Sequence, residues 1–187
     1  MLKKNIKSQI WIENVIYILI GLTIIAVLLS LAYPQIEKIK DRGIITQTLS
    51  AMDVLDKKIS EVEQAEGRVG KVVFKIAKGR LEISPSDETV EKIGYIEYIL
   101  EDTRLEMSEV GVPITEGNFV LKTEKYGGRF KISLKREYNN LKVTFEGSKD
   151  KLGVLQAGSV PYNIFIENVG DNDIVLDEPT HLDFKVV

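Results

Sequence analysis

Four acidic residues near the C-terminus are close enough in sequence to bind a metal ion together. Asp171, Asp173, Asp177 and Glu178 surround a Gly-Asp-Asn-Asp segment, and carboxylate oxygens are the ligands that calcium prefers. Gly-Asp-Asn-Asp is also ordinary turn chemistry, and the glycine and glutamate spacing of a calcium-binding helical loop is missing. Asp171, Asp173 and Asp177 are therefore a weak calcium candidate beside a plain turn, and we expect no cofactor.

Residues for nucleophilic catalysis are scarce. His181 is the single histidine of the 187-residue chain, and the chain has no cysteine, so Ser-His and Cys-His catalysis lack their partners. A strand-end histidine that faces solvent is the simpler interpretation. The absence of cysteine also excludes a disulfide framework and a thiolate metal site. We expect a protein that is not an enzyme.

One acid near the N-terminus has unusual surroundings. Glu13 follows a leader with lysines at positions 3, 4 and 7, and directly precedes a run, residues 14–36, that has no charged side chain. A carboxylate at the edge of an apolar helix is costly to bury alone. An N-terminal ammonium at Gln9 would lie one helical turn away on the same face and could serve as a partner for such a carboxylate. Alternatively, Glu13 lies in the lipid headgroup layer, where the helix dipole favours an acid.

The element that carries Glu13 is predicted to be a membrane helix. Its core, Val15 to Tyr33, has 19 residues, which as a helix is roughly 28 Å long, close to a hydrocarbon core of about 30 Å. A cleavable secretory signal has a shorter apolar stretch of about 7 to 15 residues. The leader lysines favour a cytoplasmic N-terminus. We expect a single-pass protein of the cell membrane with its C-terminal part outside.

An amphipathic helix is predicted after Pro34. Apolar residues recur there at steps of mostly three and four, at Ile36, Ile39, Ile45, Leu49, Met52, Leu55, Ile59 and Val62. Pro34 removes one backbone hydrogen bond and is expected to kink the helix. Gly67 and Gly70 predict its end. The apolar stripe requires a covering surface.

From Lys71 onward an apolar period of two predicts strands. Residues 72–76 and 81–83 are expected to form a hairpin around Lys78-Gly79, and residues 119–145 an antiparallel meander of three strands with one wet and one dry face. Further strands are predicted at 94–100, 162–167 and 182–186. The apolar face of the meander is expected to pack on the apolar stripe of the helix or on a second sheet. The predicted fold class is α+β, with a long N-terminal helix (transmembrane plus amphipathic stalk) and a C-terminal antiparallel β-sandwich-like head.

The net charge of the chain argues against nucleic acid as a partner. It is −3 for the whole chain, whereas nucleic-acid binding requires a basic surface. We therefore expect no nucleic acid partner.

This layout resembles type IV pilin-like proteins, and the N-terminal junction is similar to the archaeal version with a class III signal peptide. In those proteins a prepilin-type peptidase cuts on the cytoplasmic side of the apolar helix. By this resemblance Lys7 and Ser8 would end the leader, Gln9 would be the first mature residue, and Glu13 would be the matching acid four residues further in. Glycine or alanine is commoner at the position of Ser8. The resemblance covers about the first 40 residues.

The resemblance implies four segments and a structural role. Residues 1–8 would be the cationic leader, 9–34 the apolar transmembrane and filament-core helix, 35–68 the amphipathic stalk, and 69–187 the β-rich extracytoplasmic head. The chain would be a subunit of an archaeal pilus-like filament or related envelope assembly at the cell surface, as in adhesion. Its partners would be the membrane, the peptidase, the assembly machinery, and further copies or pilin-like subunits. The Gln9 ammonium of one subunit would pair with Glu13 of another.

A second hypothesis belongs to a different functional class. The chain would be a single-pass, membrane-anchored extracytoplasmic binding or sensing module that does not polymerise and whose helix stays in lipid. The leader junction favours the filament subunit, and the lack of an obvious aromatic binding cluster in the sequence weakens the binding module.

Overall fold

The computed structural model describes residues 6–87, 91–170 and 179–187, with side chains from residue 11 onward. In these residues one helix, α1 (Ile6–Glu63), precedes ten strands. The strands are β1 (Val69–Phe74), β2 (Arg80–Ser84), β3 (Gly94–Thr103), β4 (Ile114–Glu116), β5 (Phe119–Tyr126), β6 (Arg129–Tyr138), β7 (Leu141–Phe145), β8 (Gly153–Gln156), β9 (Tyr162–Asn168) and β10 (Thr180–Val186).

The strands form two sheets. The four-stranded sheet has the order β1-β9-β10-β7, and the six-stranded sheet has the order β4-β5-β6-β3-β2-β8. Every pair is antiparallel except β7 with β10, which is parallel. The α+β prediction, with a long N-terminal helix before a largely antiparallel β domain, is confirmed. The chain divides into two compact units, Met1–Lys40 and Asp41–Val187.

The apolar stripe of α1 is covered from residue 45 onward. Five of its side chains are each 1% exposed and belong to one core with side chains of both sheets. They are Ile45, Met52, Leu55, Ile59 and Val62. The predicted stripe also included Ile36 and Ile39, but these remain 48% and 72% exposed. The part of the helix from Asp41 onward is thus an element of the β-rich unit.

The C-terminus of α1 is capped by a residue of β9. The helix ends at Glu63, and the side-chain Nδ2 of Asn168 donates to the backbone carbonyls of Val62 (3.1 Å) and Glu63 (3.2 Å). The Gly67 amide donates to the Asn168 carbonyl at 2.9 Å. Because the last carbonyls of a helix lack partners within it, Asn168 both stops the helix and joins it to the four-stranded sheet.

The predicted hairpin between residues 72–76 and 81–83 is wrong. Both strands exist, but β1 pairs with β9, whereas β2 pairs with β3 and β8. Gly79 has φ +82°, and a Cβ there would lie 2.3 Å from the Ile99 carbonyl oxygen. The turn therefore lies directly against β3, and this directs β2 to the other sheet.

The predicted meander is correct for its first two strands and wrong for the third. β5 and β6 pair antiparallel, but β7 lies in the four-stranded sheet, parallel to β10. The edge of β6 that β7 would occupy is taken by β3. The opposite edge of β7 is satisfied by Ser86, whose amide donates to the Val143 carbonyl at 3.0 Å and whose hydroxyl accepts from the Val143 amide at 2.8 Å.

The predictions for single strands are largely confirmed. The segments 94–100, 162–167 and 182–186 all lie within strands, β3, β9 and β10. The short edge strands β4 and β8 were not predicted, since three or four residues are too few for a readable alternation.

Candidate functional site

The first half of α1 is apolar and uncovered. None of its 18 most apolar consecutive residues is buried. The helix is long and apolar enough to cross a membrane. The exposed side chains include Ile16, Leu22, Leu28 and Leu31, at 48–66%. Monomeric soluble proteins rarely expose so large an apolar surface. An exposed apolar surface of this size is typical of segments that lipid or other protein chains cover.

The polar groups inside this apolar segment are satisfied by the helix itself. The Thr23 hydroxyl donates to the Leu19 carbonyl at 2.8 Å, and the Ser30 hydroxyl donates to the Val27 carbonyl at 2.8 Å. A hydroxyl without a partner is costly in an apolar medium. The segment is therefore chemically suited to an environment without water.

The residues of the leader junction lie at the start of this helix. Lys7, Ser8 and Gln9 are within α1, but their side chains are outside the described ones. Glu13 is exposed, and Trp11 is 71% exposed. The structure therefore supplies a helical backbone at the junction, and processing and pairing stay predictions.

Pro34 lies inside α1, and the helix continues on both sides of it. Its nitrogen carries no hydrogen, so one intrahelical hydrogen bond is absent there. A kink at this position stays a prediction.

A buried carboxylate joins α1 to the β-rich unit at residue 41. Asp41 is 4% exposed and accepts bonds from the Lys78 ammonium at 2.8 and 3.0 Å and from the Thr103 hydroxyl at 2.5 Å. The Tyr98 hydroxyl, in turn, donates to the Lys78 carbonyl at 2.5 Å. Charge-assisted bonds of this kind are stronger than neutral ones.

A second buried carboxylate lies four turns further along the helix. Asp56 is 5% exposed and accepts from the Tyr138 hydroxyl at 3.0 Å and from the Asn118 amide at 2.8 Å, with the Arg136 guanidinium 3.5 Å away. Burial raises the pKa of Tyr138, and the nearby Asp56 charge raises it further. Asp41 and Asp56 attach the helix to the six-stranded sheet through specific polar contacts.

The sequence carries a signal for these two carboxylates, because both lie on the apolar face of the helix. Asp41 and Asp56 continue the helical spacing of the apolar stripe that contains Ile45, Met52 and Ile59. A charged residue on the buried face of an amphipathic helix is expected to have a partner in the core.

His181 lies near the start of β10, so the prediction of a strand-end residue is confirmed, but the side chain is not simply solvent-facing. It is half-buried, and its Nε2 lies 3.0 Å from the Thr144 hydroxyl. That hydroxyl donates to Asp183 at 2.7 Å, and the Gly147 amide donates to the same carboxylate at 2.8 Å. These bonds join β7 to β10, so a structural role accounts for the group.

The metal candidates of the chain are clusters of acidic side chains. Among the described residues no three His, Asp or Glu side chains are arranged to hold an ion. The calcium candidate formed by Asp171, Asp173 and Asp177 lies outside the described residues.

The outer face of the six-stranded sheet is charged. Glu97 lies between Glu82 and Lys135 in the strand register, and its burial raises its pKa despite a hydrogen bond from Ser133. The Lys135 ammonium lies 4.3 Å from the centre of the Tyr95 ring. The alternating charges along neighbouring strands are typical of a solvated sheet face.

Comparison with known proteins adds no relative to these observations. No protein family model, curated protein sequence or solved structure matches the chain.

Proposed function

We propose that this protein is a structural, non-enzymatic subunit of a pilus-like filament, exported across the cell membrane and assembled through the apolar half of α1. The observation that carries the proposal is the unburied apolar surface of residues 11–33 on a chain whose remaining part has its own core. In the membrane, lipid covers this surface; in a filament, the same segments of other subunits cover it. Both states remove the apolar surface from water, which is favourable.

The leader junction supports filament assembly over a permanent anchor. Cleavage between Ser8 and Gln9 would leave an ammonium one helical turn from Glu13. Because a charge in an apolar filament core is costly without a partner, pairing between the ammonium of one subunit and Glu13 of its neighbour would set the axial register.

Intact mass of the membrane-associated protein tests the processing step. We expect a mature chain that begins at Gln9, and equal or faster processing for Ser8→Gly, since glycine is commoner at this position in the proteins that the junction resembles. A chain that keeps Met1 in cells that contain the peptidase would contradict the filament role and favour the membrane-anchored binding module.

Electron microscopy of sheared cell-surface material, with peptide identification, tests assembly. Glu13→Ala is expected to leave processing intact and to abolish incorporation into filaments. The matched control is Glu63→Ala, an exposed acid at the other end of the same helix, which should assemble normally. Normal assembly of Glu13→Ala would refute the pairing role.

We further propose that the head has a sandwich-like arrangement of its two sheets. Close contacts between the sheets support this: a Cβ on Gly94 of β3 would lie 2.7 Å from Val143 of β7, and one on Gly153 of β8 would lie 2.5 Å from Phe145 of β7. In a double-mutant cycle, Phe145→Ala removes the ring atoms that a Cβ at position 153 would meet. It should therefore relieve part of the destabilisation caused by Gly153→Ala, with a coupling of about 1 kcal/mol. Additive effects would contradict the arrangement.

A further inference from the structure

A cavity of about 480 Å³ opens on the six-stranded sheet, where β3 meets the turn of the β5–β6 hairpin. This volume is within the range of about 300–1,000 Å³ that small-molecule sites have. Its walls combine two aromatic rings with four charged groups, from Glu101, Asp102, Tyr126, Arg129, Phe130 and Lys131.

The cavity arises from an irregularity in the sheet. The pairing of β3 with β6 shifts register between Leu100 and Thr103, and Asp102 within this bulge has φ +53°. A bulge bends its strand and redirects side chains. Here Glu101 and Asp102 are both exposed, beside the hairpin turn that carries Tyr126 and Arg129.

The charged groups of the cavity are held by ion pairs. Glu101 lies 3.0 Å from Arg80. Asp102 lies 3.5 Å from Arg129, and Lys131 lies 3.6 Å from Glu124. The walls thus carry two carboxylates and two cations, with no net charge. A phosphate would require a positive site and a metal ion a negative one, so a neutral ligand with many hydroxyl groups fits this balance better.

The aromatic rings of the cavity favour a sugar as the neutral ligand. Tyr126 is 77% exposed at the cavity rim, and Phe130 is half-buried beside it. An exposed ring offers apolar contact area at small entropic cost, and the C–H face of a pyranose packs on such a ring. Carboxylates accept from neighbouring sugar hydroxyls, and guanidinium and ammonium groups donate to them.

We propose that this cavity binds one or two pyranose rings of a neutral saccharide, with Tyr126 as the stacking platform and Glu101, Asp102 and Arg129 as hydroxyl partners. The site lies wholly in the β-rich unit, so it does not depend on whether the chain polymerises.

Saturation-transfer NMR on the full chain in lipid nanodiscs without glycolipids tests this proposal. The probes are methyl α-mannoside, methyl β-glucoside, methyl β-galactoside and diacetylchitobiose. We expect transfer to the ring C–H protons of at least one probe. Tyr126→Ala should raise its dissociation constant about tenfold, whereas Tyr126→Phe should retain binding.

The matched control is Tyr95→Ala, which removes a ring from the same sheet outside the cavity and should leave binding unchanged. Absence of transfer to all four probes would overturn the proposal. So would equal binding by Tyr126→Ala and the unaltered chain.

Discussion

Asp56 is buried on the helix face that meets the sheets, and three polar residues surround it. Its carboxylate bonds Tyr138 and Asn118 and lies beside Arg136. Truncation would leave these partners without the acceptor around which they are arranged, and a buried group without its partner is costly.

We predict that Asp56→Ala lowers the free energy of unfolding by about 3 kcal/mol. Denaturant titration of the full chain in detergent, followed by near-ultraviolet circular dichroism, measures the change. Glu61→Ala, which removes an exposed ion pair with Lys58, is the control and should have little effect. Equal effects of the two variants would show that the Asp56 contacts do not stabilise the fold.

Two buried tyrosines predict a loss of stability at high pH. Burial raises the pKa of Tyr98 from 10.0 to about 12 and raises that of Tyr138 even further. Below about pH 10 both are neutral in the folded and unfolded chains, so their contribution is fully present. Above it the unfolded chain loses protons that the folded chain keeps, and the free energy of unfolding falls by about 1.4 kcal/mol per pH unit for each tyrosine.

Tyrosinate absorbance against pH measures this effect. We expect Tyr98 and Tyr138 to ionise only together with unfolding, above the ordinary range of a tyrosine. Phenylalanine in place of either should remove one late-ionising group. Ionisation of Tyr98 and Tyr138 near pH 10 in a chain that stays folded would contradict the prediction.

At the scale of elements, α1 combines two different surfaces in one continuous helix. Up to residue 33 its apolar side chains are exposed on all sides, whereas from residue 45 one stripe is buried. The buried stripe supplies part of the core of the β-rich unit, and its removal should cost both transfer free energy and a cavity.

We predict that Leu55→Ala lowers the free energy of unfolding by about 2–5 kcal/mol, because Leu55 is 1% exposed. Val54→Ala is the matched control, since the adjacent side chain is 55% exposed and should cost much less. Thermal unfolding in detergent compares the two. Similar midpoints for both variants would mean that the helix does not pack on the sheets.

At the scale of the whole molecule, the unit Asp41–Val187 includes its own segment of helix. A fragment that starts at Lys38 should therefore fold without the apolar segment, with the native near-ultraviolet spectrum and as a soluble species. A fragment that starts at Gly70 lacks the helical stripe and should be unfolded or aggregated. Size-exclusion chromatography and circular dichroism separate these outcomes. A native spectrum from the shorter fragment would show that the stripe is dispensable.

Much of the fold followed from local patterns. The length of the uncharged run predicted the apolar helix, and alternation predicted most strands, because both signals are carried by neighbouring residues. Pairing did not follow: β1 and β2 flank a turn, yet they belong to different sheets, as do β6 and β7. Their partners are distant in sequence, and each partner choice depends on which edge another strand already occupies.

The sequence by itself determined that an apolar helix of membrane length precedes a β-rich part, and it supplied the junction at Ser8 and Gln9, because these depend only on composition and short spacing. The tertiary structure alone decided that Asp41 and Asp56 are buried among partners, and that a bulge in β3 joins Tyr126 to Glu101 and Asp102 in one cavity. The two carboxylates depend on contacts between the helix and the sheets, and the cavity depends on the register of neighbouring strands. Neither is encoded in a single segment of the chain.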